Sequence, residues 1–336
     1  MYSDTQFLSS FVRMVGIVIF CLAIHVIFIP ILLGVFLYRG IVTVLAKSLR
    51  PDLDSFVTGI DLSLLSHSPQ EAVSNLLTSF IVKGNVSENR IQEMAQERIL
   101  KLTDSEGNLV YKKLMQFWTP FLGYAFWKMD KSFFLSNHVR KYDYEDVILP
   151  KPCDEASLKE VMAQLLKLPW NPNQSHWEVL LVSEYKWELG PDTHDNYSLV
   201  IVRVDHSIVD AISGIGALEA TFQSSFAIPK AVRNRTQFSL WEKYKLMYLF
   251  PYALTKQFPA ILRKRYLNKL DSTKPYVYDA TEKIPVSMIK KIKDNLGVDY
   301  GSVLHSAVNG GICQILETLK KTPPRIHRFD NYTSSS

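Results

Sequence analysis

The longest apolar run of the chain lies near the start of the sequence. Residues Met14–Tyr38 include no formally charged side chain over 25 positions, and Arg13 and Arg39 bound the run. A stretch of this length is long enough to cross a hydrocarbon core of about 30 Å and too long for the apolar region of a signal peptide. The pattern therefore predicts a membrane helix. Pro30 and the apolar residues 41–46 leave a hairpin, which enters and leaves on one side, as the alternative to a single span.

After residue 50, strand periods and helical periods alternate. The predicted strands are 75–82, 177–182, 198–204 and a segment near 284–286. Two predicted helices begin at Ser87 and at Asp154 (or Glu155). Three more are predicted over 210–225, 287–296 and 302–319. Strands that alternate with helices predict an α/β or α+β body.

Composition and charge narrow the class of protein. Apolar residues form 47% of the 336 residues, which excludes a disordered chain. Cys21, Cys153 and Cys313 are too few and too scattered for a disulfide framework or a zinc site, which favours a reducing compartment.

Residues 230–270 contain ten Lys or Arg and one acid, a net charge of +9 in a chain whose net charge is +5. Because aromatic residues are interleaved with these charges, we expect a membrane-interface segment rather than a nucleic-acid site; a solvated interdomain helix is the alternative.

The most reactive combination of side chains follows the predicted strand 198–204. His206 comes directly after this strand, and Asp210 lies four residues later at the predicted start of a helix. Short loops between a buried strand and a helix often carry reactive side chains. Three roles are open for Asp210: it caps the helix, holds the loop or orients the imidazole. Elsewhere, His138 and His176 lack metal-ligand spacing.

The residues around His206 resemble a known signature. The segment HSIVDAISG resembles the H-x-x-x-D-G motif of acyl-CoA-dependent acyltransferases with a chloramphenicol-acetyltransferase-like fold. More specifically, four segments resemble, in the same order, parts of the bacterial-type wax ester synthase/diacylglycerol acyltransferase family. These segments are Phe133–Arg140, Pro169–Ser183, Val202–Leu218 and, more weakly, Leu296–Leu316. The resemblance covers residues 52 to 319 approximately.

The chain departs from that family in three places. Asp205 stands where the family has the first of two adjacent histidines, Ala211 stands at the closing glycine, and Gly301-Ser302 replaces an Asn-Asp pair. The family also continues beyond this length, so the resemblance implies an incomplete second domain. The implied organisation is a membrane anchor at 1–50, an acyltransferase domain at 51–228, a basic aromatic crossover segment at 229–282, the start of a second domain at 283–320 and a flexible tail at 321–336.

The resemblance implies a membrane-anchored acyl-CoA O-acyltransferase that makes wax ester or triacylglycerol from a long-chain alcohol or diacylglycerol. His206 matches the general base and Asp210 matches the acid of the motif. Acyl-CoA is then a substrate, and no cofactor or metal is implied. The implied partners are acyl-CoA, the acceptor alcohol and membrane lipid. A catalytically weak lipid-binding or regulatory relative is the alternative that the departures favour, and transfer to another acceptor is a third reading.

Charge also predicts how the chain is oriented. For a single span, Arg39, Lys47 and Arg50 outweigh Arg13, so the positive-inside rule predicts a body in the cytosol. For an acyltransferase of the resembled kind, we expect the membrane to be that of the endoplasmic reticulum. Asn-x-Ser/Thr triplets are the one argument for a lumenal body. They occur at Asn85, Asn173, Asn196, Asn234 and Asn331.

Overall fold

The computed structural model describes residues 2–187, 196–223, 239–246, 249–250, 276–279 and 284–319. Most of the predicted crossover segment 229–282 and the whole predicted tail 321–336 lie outside the described residues. The described residues belong to two compact units. The first runs through residue 250 and includes 276–278, and the second comprises residue 279 and residues 284–319.

The amino-terminal helix, α1, spans Tyr2–Leu49 and continues through Pro30. The structure therefore has one long helix here and not a hairpin. Pro30–Leu49 is the one stretch of the described residues that is long and apolar enough to cross a membrane. Its apolar side chains are mostly exposed: Leu33 is 62% exposed and Leu37 is 64% exposed. The described residues thus leave most of the apolar surface of this stretch uncovered.

The described residues of the first unit form seven strands in two sheets. The strands are β1 (Leu53–Phe56), β2 (Asn75–Lys83), β3 (Gln116–Phe121), β4 (Tyr124–Met129), β5 (Val139–Lys141), β6 (Trp177–Tyr185) and β7 (Tyr197–Asp205). One sheet has three strands in the order β1-β4-β3, and the other has four in the order β2-β7-β6-β5. All pairs are antiparallel except β5 with β6.

Further helices with defined bounds belong to the first unit and to the second. They are α2 (Ile60–Leu64), α3 (Glu88–Ala95), α4 (Leu135–His138), α5 (Glu155–Leu165), α6 (Ala211–Phe222), α7 (Val286–Leu296) and α8 (Tyr300–Thr318). A π-helical turn, Gln96–Leu100, extends α3, and a 3-10 turn, Lys112–Met115, precedes β3. This mixture of helices and sheets is the fold class that the sequence predicts.

Three predicted strands and the main predicted helices are found within a few residues of their expected bounds. The strand expected near 284–286 is wrong, because Pro285 precedes α7 and the helix begins at Val286. Gly297 ends that helix in the left-handed region, with φ 63°. The sequence analysis missed β1, β3, β4 and β5. Most of Phe133–Arg140, which resembles a strand of the family, is the short helix α4, and only its end enters β5.

The two larger apolar clusters of the first unit lie on the four-stranded sheet and between the two sheets. Helix α5 packs Leu158, Met162 and Leu165 against one face of the four-stranded sheet, where Leu180 and Leu199 are fully buried. The second cluster joins the two sheets and includes Trp118, Trp127, Trp177 and Val204. The four-stranded sheet is therefore covered on both faces, which explains why β7 is almost continuously apolar.

In the second unit, α7 and α8 bury little of their apolar surface. Ile289 is buried in α7, whereas the described residues of α8 include no buried side chain. Val308 and Ile315 of α8 are 62% and 61% exposed. These helices therefore present apolar surface that the described residues leave uncovered.

Candidate active site

The turn between β7 and α6 is held by backbone hydrogen bonds at both ends. The amide of Asp205 donates to the carbonyl of His176 at 2.9 Å, and the amide of His206 donates to the carbonyl of Ser74 at 2.8 Å. The amide of Ile208 closes the turn by donating to the carbonyl of Asp205 at 3.0 Å. These bonds tie the turn to the segments before β2 and β6. His206 therefore lies on a fixed backbone at the carboxyl end of a buried strand.

Asp205 is a structural acid of this turn. It is 5% exposed, and its Oδ1 accepts hydrogen bonds from the Ser207 amide at 2.8 Å and the Ser207 hydroxyl at 2.5 Å. Burial raises the pKa of Asp205, while the hydrogen bonds from Ser207 and the neighbouring His206 oppose that rise. The residue that replaces the family's first histidine thus stabilises the turn that carries His206.

His206 is half-buried, and its Nδ1 is completely buried. Among the described residues, this Nδ1 has no hydrogen-bond partner. Neither Asp205 nor Asp210 therefore orients the imidazole through Nδ1. A buried polar atom without a partner is costly and calls for a functional explanation.

Asp210 is the N-cap of α6. Its Oδ1 accepts from the Ser213 amide at 2.7 Å and from the Ser213 hydroxyl at 2.5 Å, and the Ser213 hydroxyl accepts from the Asp210 amide at 2.9 Å. This reciprocal arrangement is a capping box, which satisfies amides that the first helical turn leaves unpaired. Of the three roles that the sequence leaves open, the structure assigns helix capping to Asp210.

One of the two glycines of α6 serves close packing. The hydroxyl of Tyr111 donates to the carbonyl of Ser213 at 3.2 Å and lies 3.0 Å from the position that a Cβ atom would take at Gly216. At Gly214, a Cβ atom would lie 3.4 Å from Val209. Gly216 therefore lets α6 approach buried Tyr111, whereas the space at Gly214 is that of an ordinary contact.

Beside the turn lies a buried cluster of charges that sequence reasoning missed. Glu178 of β6 accepts from Arg203 of β7 and from Arg140 of β5, both at 3.0 Å, and from the hydroxyl of Tyr144 at 2.8 and 2.9 Å. Arg203 is 0% exposed and Glu178 is 5% exposed. Burial, followed by the charge of Glu178, raises the pKa of Tyr144 to about 12. The sequence signal is one charged residue inside each of the two otherwise apolar predicted strands, 177–182 and 198–204.

Aromatic stacking places this cluster against the turn. The guanidinium of Arg203 lies 3.8 Å from the centre of the Trp170 ring, and Trp170 stacks on His176 at 5.5 Å. Burial, followed by the charge of Arg203, lowers the pKa of His176 to about 4. Burial also lowers the pKa of His138, whose ring stacks on Trp177 at 4.7 Å. Both histidines are therefore neutral core residues near pH 7.

A cavity of about 620 Å³ opens beside this cluster. Its lining includes Arg140, Tyr144, Trp170, Glu178 and Arg203. His206 is not among the described residues that line this cavity. The mostly polar and charged lining suits a polar part of a ligand better than an alkyl chain.

The solved structures to which the chain is similar include two that differ in their named activity. One is the wax ester synthase/diacylglycerol acyltransferase from Marinobacter aquaeolei VT8, with 16% identity over 80% of this chain and a TM-score of 0.42. The other is a structure described as the molecular basis for condensation domain-mediated chain release from the enacyloxin polyketide synthase. The identity to it is 15%, the match covers 78% of this chain and 51% of that chain, and the TM-score is 0.38.

This chain spans 62% of the length of the Marinobacter acyltransferase that it matches. That acyltransferase bears the name of the family that the sequence motifs resemble. No protein-family profile and no curated protein sequence matches the chain.

Proposed function

We propose that this protein is a membrane-anchored acyl-CoA O-acyltransferase that uses His206 as its general base. The observation that carries the proposal is the placement of His206: a half-buried imidazole stands on a turn that is held on both sides, and its buried Nδ1 has no partner among the described residues. Asp205 and Asp210 rigidify the backbone around it. The H-x-x-x-D motif in this setting supports acyl transfer to a hydroxyl group.

The reaction follows from the chemistry of its substrates. An alcohol is a weak nucleophile near neutral pH, so the imidazole takes its proton while the oxygen attacks the thioester carbonyl of acyl-CoA. The carbon–sulfur bond then breaks, and the imidazolium returns the proton to the departing thiolate. The products are an ester and free coenzyme A. We propose a long-chain alcohol or diacylglycerol as the acceptor, because a body anchored through the apolar helix α1 would lie beside a source of lipid substrates.

The test is ester formation by the full chain in lipid nanodiscs, with radiolabelled acyl-CoA and either acceptor. His206→Ala should lower the rate about 10²–10⁴-fold, because a positioned base contributes about that much. His67→Ala is the matched control, because His67 is an exposed histidine outside the site, and it should leave the rate unchanged. Asp210→Ala should lower both thermal stability and rate, since a lost N-cap costs about 1 kcal/mol.

Two results would contradict the proposal. If His206→Ala retains the full rate of ester synthesis, His206 is not the base. If the unchanged chain binds acyl-CoA or lipid vesicles but forms no ester with either acceptor, it is the lipid-binding relative that the departures at Asp205 and Ala211 favour.

We further propose that the body faces the cytosol, on the endoplasmic reticulum membrane, where acyl-CoA is supplied. Lys47 and Arg50 flank the carboxyl end of α1 and support this orientation. Asn173 should then carry no N-glycan when the chain is expressed in eukaryotic cells, as mass spectrometry of its tryptic peptide would show. A glycan at Asn173 would place the body in the lumen.

The described part of the crossover segment supports contact with lipid. Residues 240–246 are helical, and Leu240 and Trp241 are 84% and 72% exposed. Trp241 stacks on Tyr244 at 5.9 Å. Exposed aromatic residues beside basic ones are typical of a membrane interface, which we therefore propose for this segment.

A further inference from the structure

The carboxyl end of α1 packs directly on the three-stranded sheet. Val42 is 0% exposed and Ala46 is 5% exposed, and both belong to one apolar cluster with Phe126 of β4. The guanidinium of Arg39 lies 4.3 Å from the centre of the Phe56 ring of β1. The last turns of α1 are therefore part of the folded body, and no flexible linker separates them from it.

The turn between β3 and β4 reaches further along α1, into the apolar run. The hydroxyl of Tyr38 donates to the carbonyl of Leu122 at 3.1 Å, and the hydroxyl of Tyr124 donates to the carbonyl of Val35 at 3.5 Å. The rings of Tyr38 and Tyr124 lie 6.0 Å apart. Val35 lies four residues inside the charged boundary at Arg39, about 6 Å along a helix that rises 1.5 Å per residue. The turn thus lies beside residues that the uncharged run would place in the membrane.

The turn itself carries an unusual residue. Leu122 and Gly123 both have positive φ, 47° and 75°, as in the two-residue turns that normally favour Asn, Asp or Gly. Leucine is uncommon in this region of backbone space, and this side chain is 43% exposed. An apolar side chain at the tip of a hairpin, in a position that favours polar residues, indicates contact with an apolar partner.

We propose that the tip of this hairpin, Phe121–Tyr124, inserts into the interfacial layer of the membrane that α1 crosses. The body would then be held at the lipid surface by two elements whose relative position is fixed. The depth of about 6 Å matches the roughly 5–10 Å to which interfacial elements bury their apolar side chains. Tyr38 and Tyr124 have the amphipathic rings that favour this layer, and Arg39 lies where a basic side chain reaches the headgroups. The inference rests on the membrane anchor of the proposed function but not on its catalysis.

The test is the depth of nitroxide labels on the full chain in nanodiscs of phosphatidylcholine and phosphatidylserine. The parent variant replaces Cys21, Cys153 and Cys313, and single labels are placed through Ile27→Cys, Leu122→Cys and Ser105→Cys. Ser105 is the matched control, because it is an exposed residue in another turn of the first unit. We expect oxygen to relax the label at 27 most, a water-soluble nickel complex to relax the label at 105 most, and the label at 122 to have intermediate values.

The possible results separate the inference from the proposed function. If the label at 27 lies in lipid while the label at 122 is as accessible to nickel as the label at 105, the hairpin inference is wrong and the anchor stands. If the label at 27 is in water, both the membrane anchor and the hairpin inference are wrong. The catalytic part of the proposed function is tested separately, by the measurement of ester synthesis. Should Leu122→Cys fail to fold, Pro120→Cys labels an exposed position two residues earlier.

Discussion

The two sheets of the first unit differ in burial and in the kind of contact they make. In the four-stranded sheet, eight of the nine residues of β7 are buried, and the ion pair between Glu178 and Arg203 is almost inaccessible. In the three-stranded sheet, β1 has no buried residue, and its ion pair between Asp54 and Lys112 is exposed to solvent. The first sheet ends in the turn that carries His206, and the second packs on α1.

This difference separates two tasks within one unit. A strand that is covered on both faces gives the turn at its end a fixed position, as a reactive side chain requires. A small sheet with an open edge and an aromatic face instead joins the body to the long helix. The comparison predicts that breaking the buried ion pair of the four-stranded sheet lowers stability strongly, whereas breaking the exposed ion pair of β1 in the three-stranded sheet has little effect.

The largest expected effect comes from the ion pairs of the two sheets. Glu178→Gln should lower the free energy of unfolding by about 3–5 kcal/mol, because it leaves the buried charge of Arg203 uncompensated. The matched change Asp54→Asn should cost about 1 kcal/mol or less, because water screens the exposed pair with Lys112. Urea unfolding of the full chain in detergent, followed by tryptophan fluorescence, measures both. Equal losses for the two variants would contradict the assigned difference between the sheets.

A smaller effect should appear as acid sensitivity at His176, in the segment before β6. The pKa of His176 is about 4 in the folded chain, below its ordinary value of 6.5, so the unfolded chain binds this proton first as the pH falls. Stability is therefore complete above pH 6.5 and is lost progressively toward pH 4, by up to about 3 kcal/mol. His176→Phe keeps a ring against Trp170. It should reduce the slope of the unfolding free energy against pH in this window by the amount that corresponds to about one proton taken up on unfolding.

The control for this titration is His67→Phe. His67 is exposed, so its replacement should leave the slope between pH 6.5 and pH 4 unchanged. If His176→Phe has the same slope as the unchanged chain, the ring of His176 does not supply the acid sensitivity. The stacking of His176 on Trp170 would then serve packing alone.

Local features of the chain were predictable because they depend on residues close in sequence. The apolar run of α1, the strands at 177 and 198 and the cap at Asp210 follow from periodicity and from hydrogen bonds that span three or four residues. The position of His206 after a buried strand follows from the same pattern. The strand expected near 284–286 was wrong because a short apolar run beside Pro285 suits a helix start as well as a strand.

The contacts that give these elements their roles required the tertiary structure. The Glu178–Arg203 pair depends on the register of β6 against β7, and the Tyr38–Leu122 hydrogen bond joins residues 84 positions apart. The role of Asp205 likewise depends on its burial, because the same carboxylate on an exposed loop would be solvated by water. Periodicity determines which face of an element is apolar, but strand register and packing decide which side chains that face meets. The sequence by itself therefore determined the longer helices, the main strands and the candidate base, and only the tertiary structure decided what surrounds the candidate base and what α1 contacts.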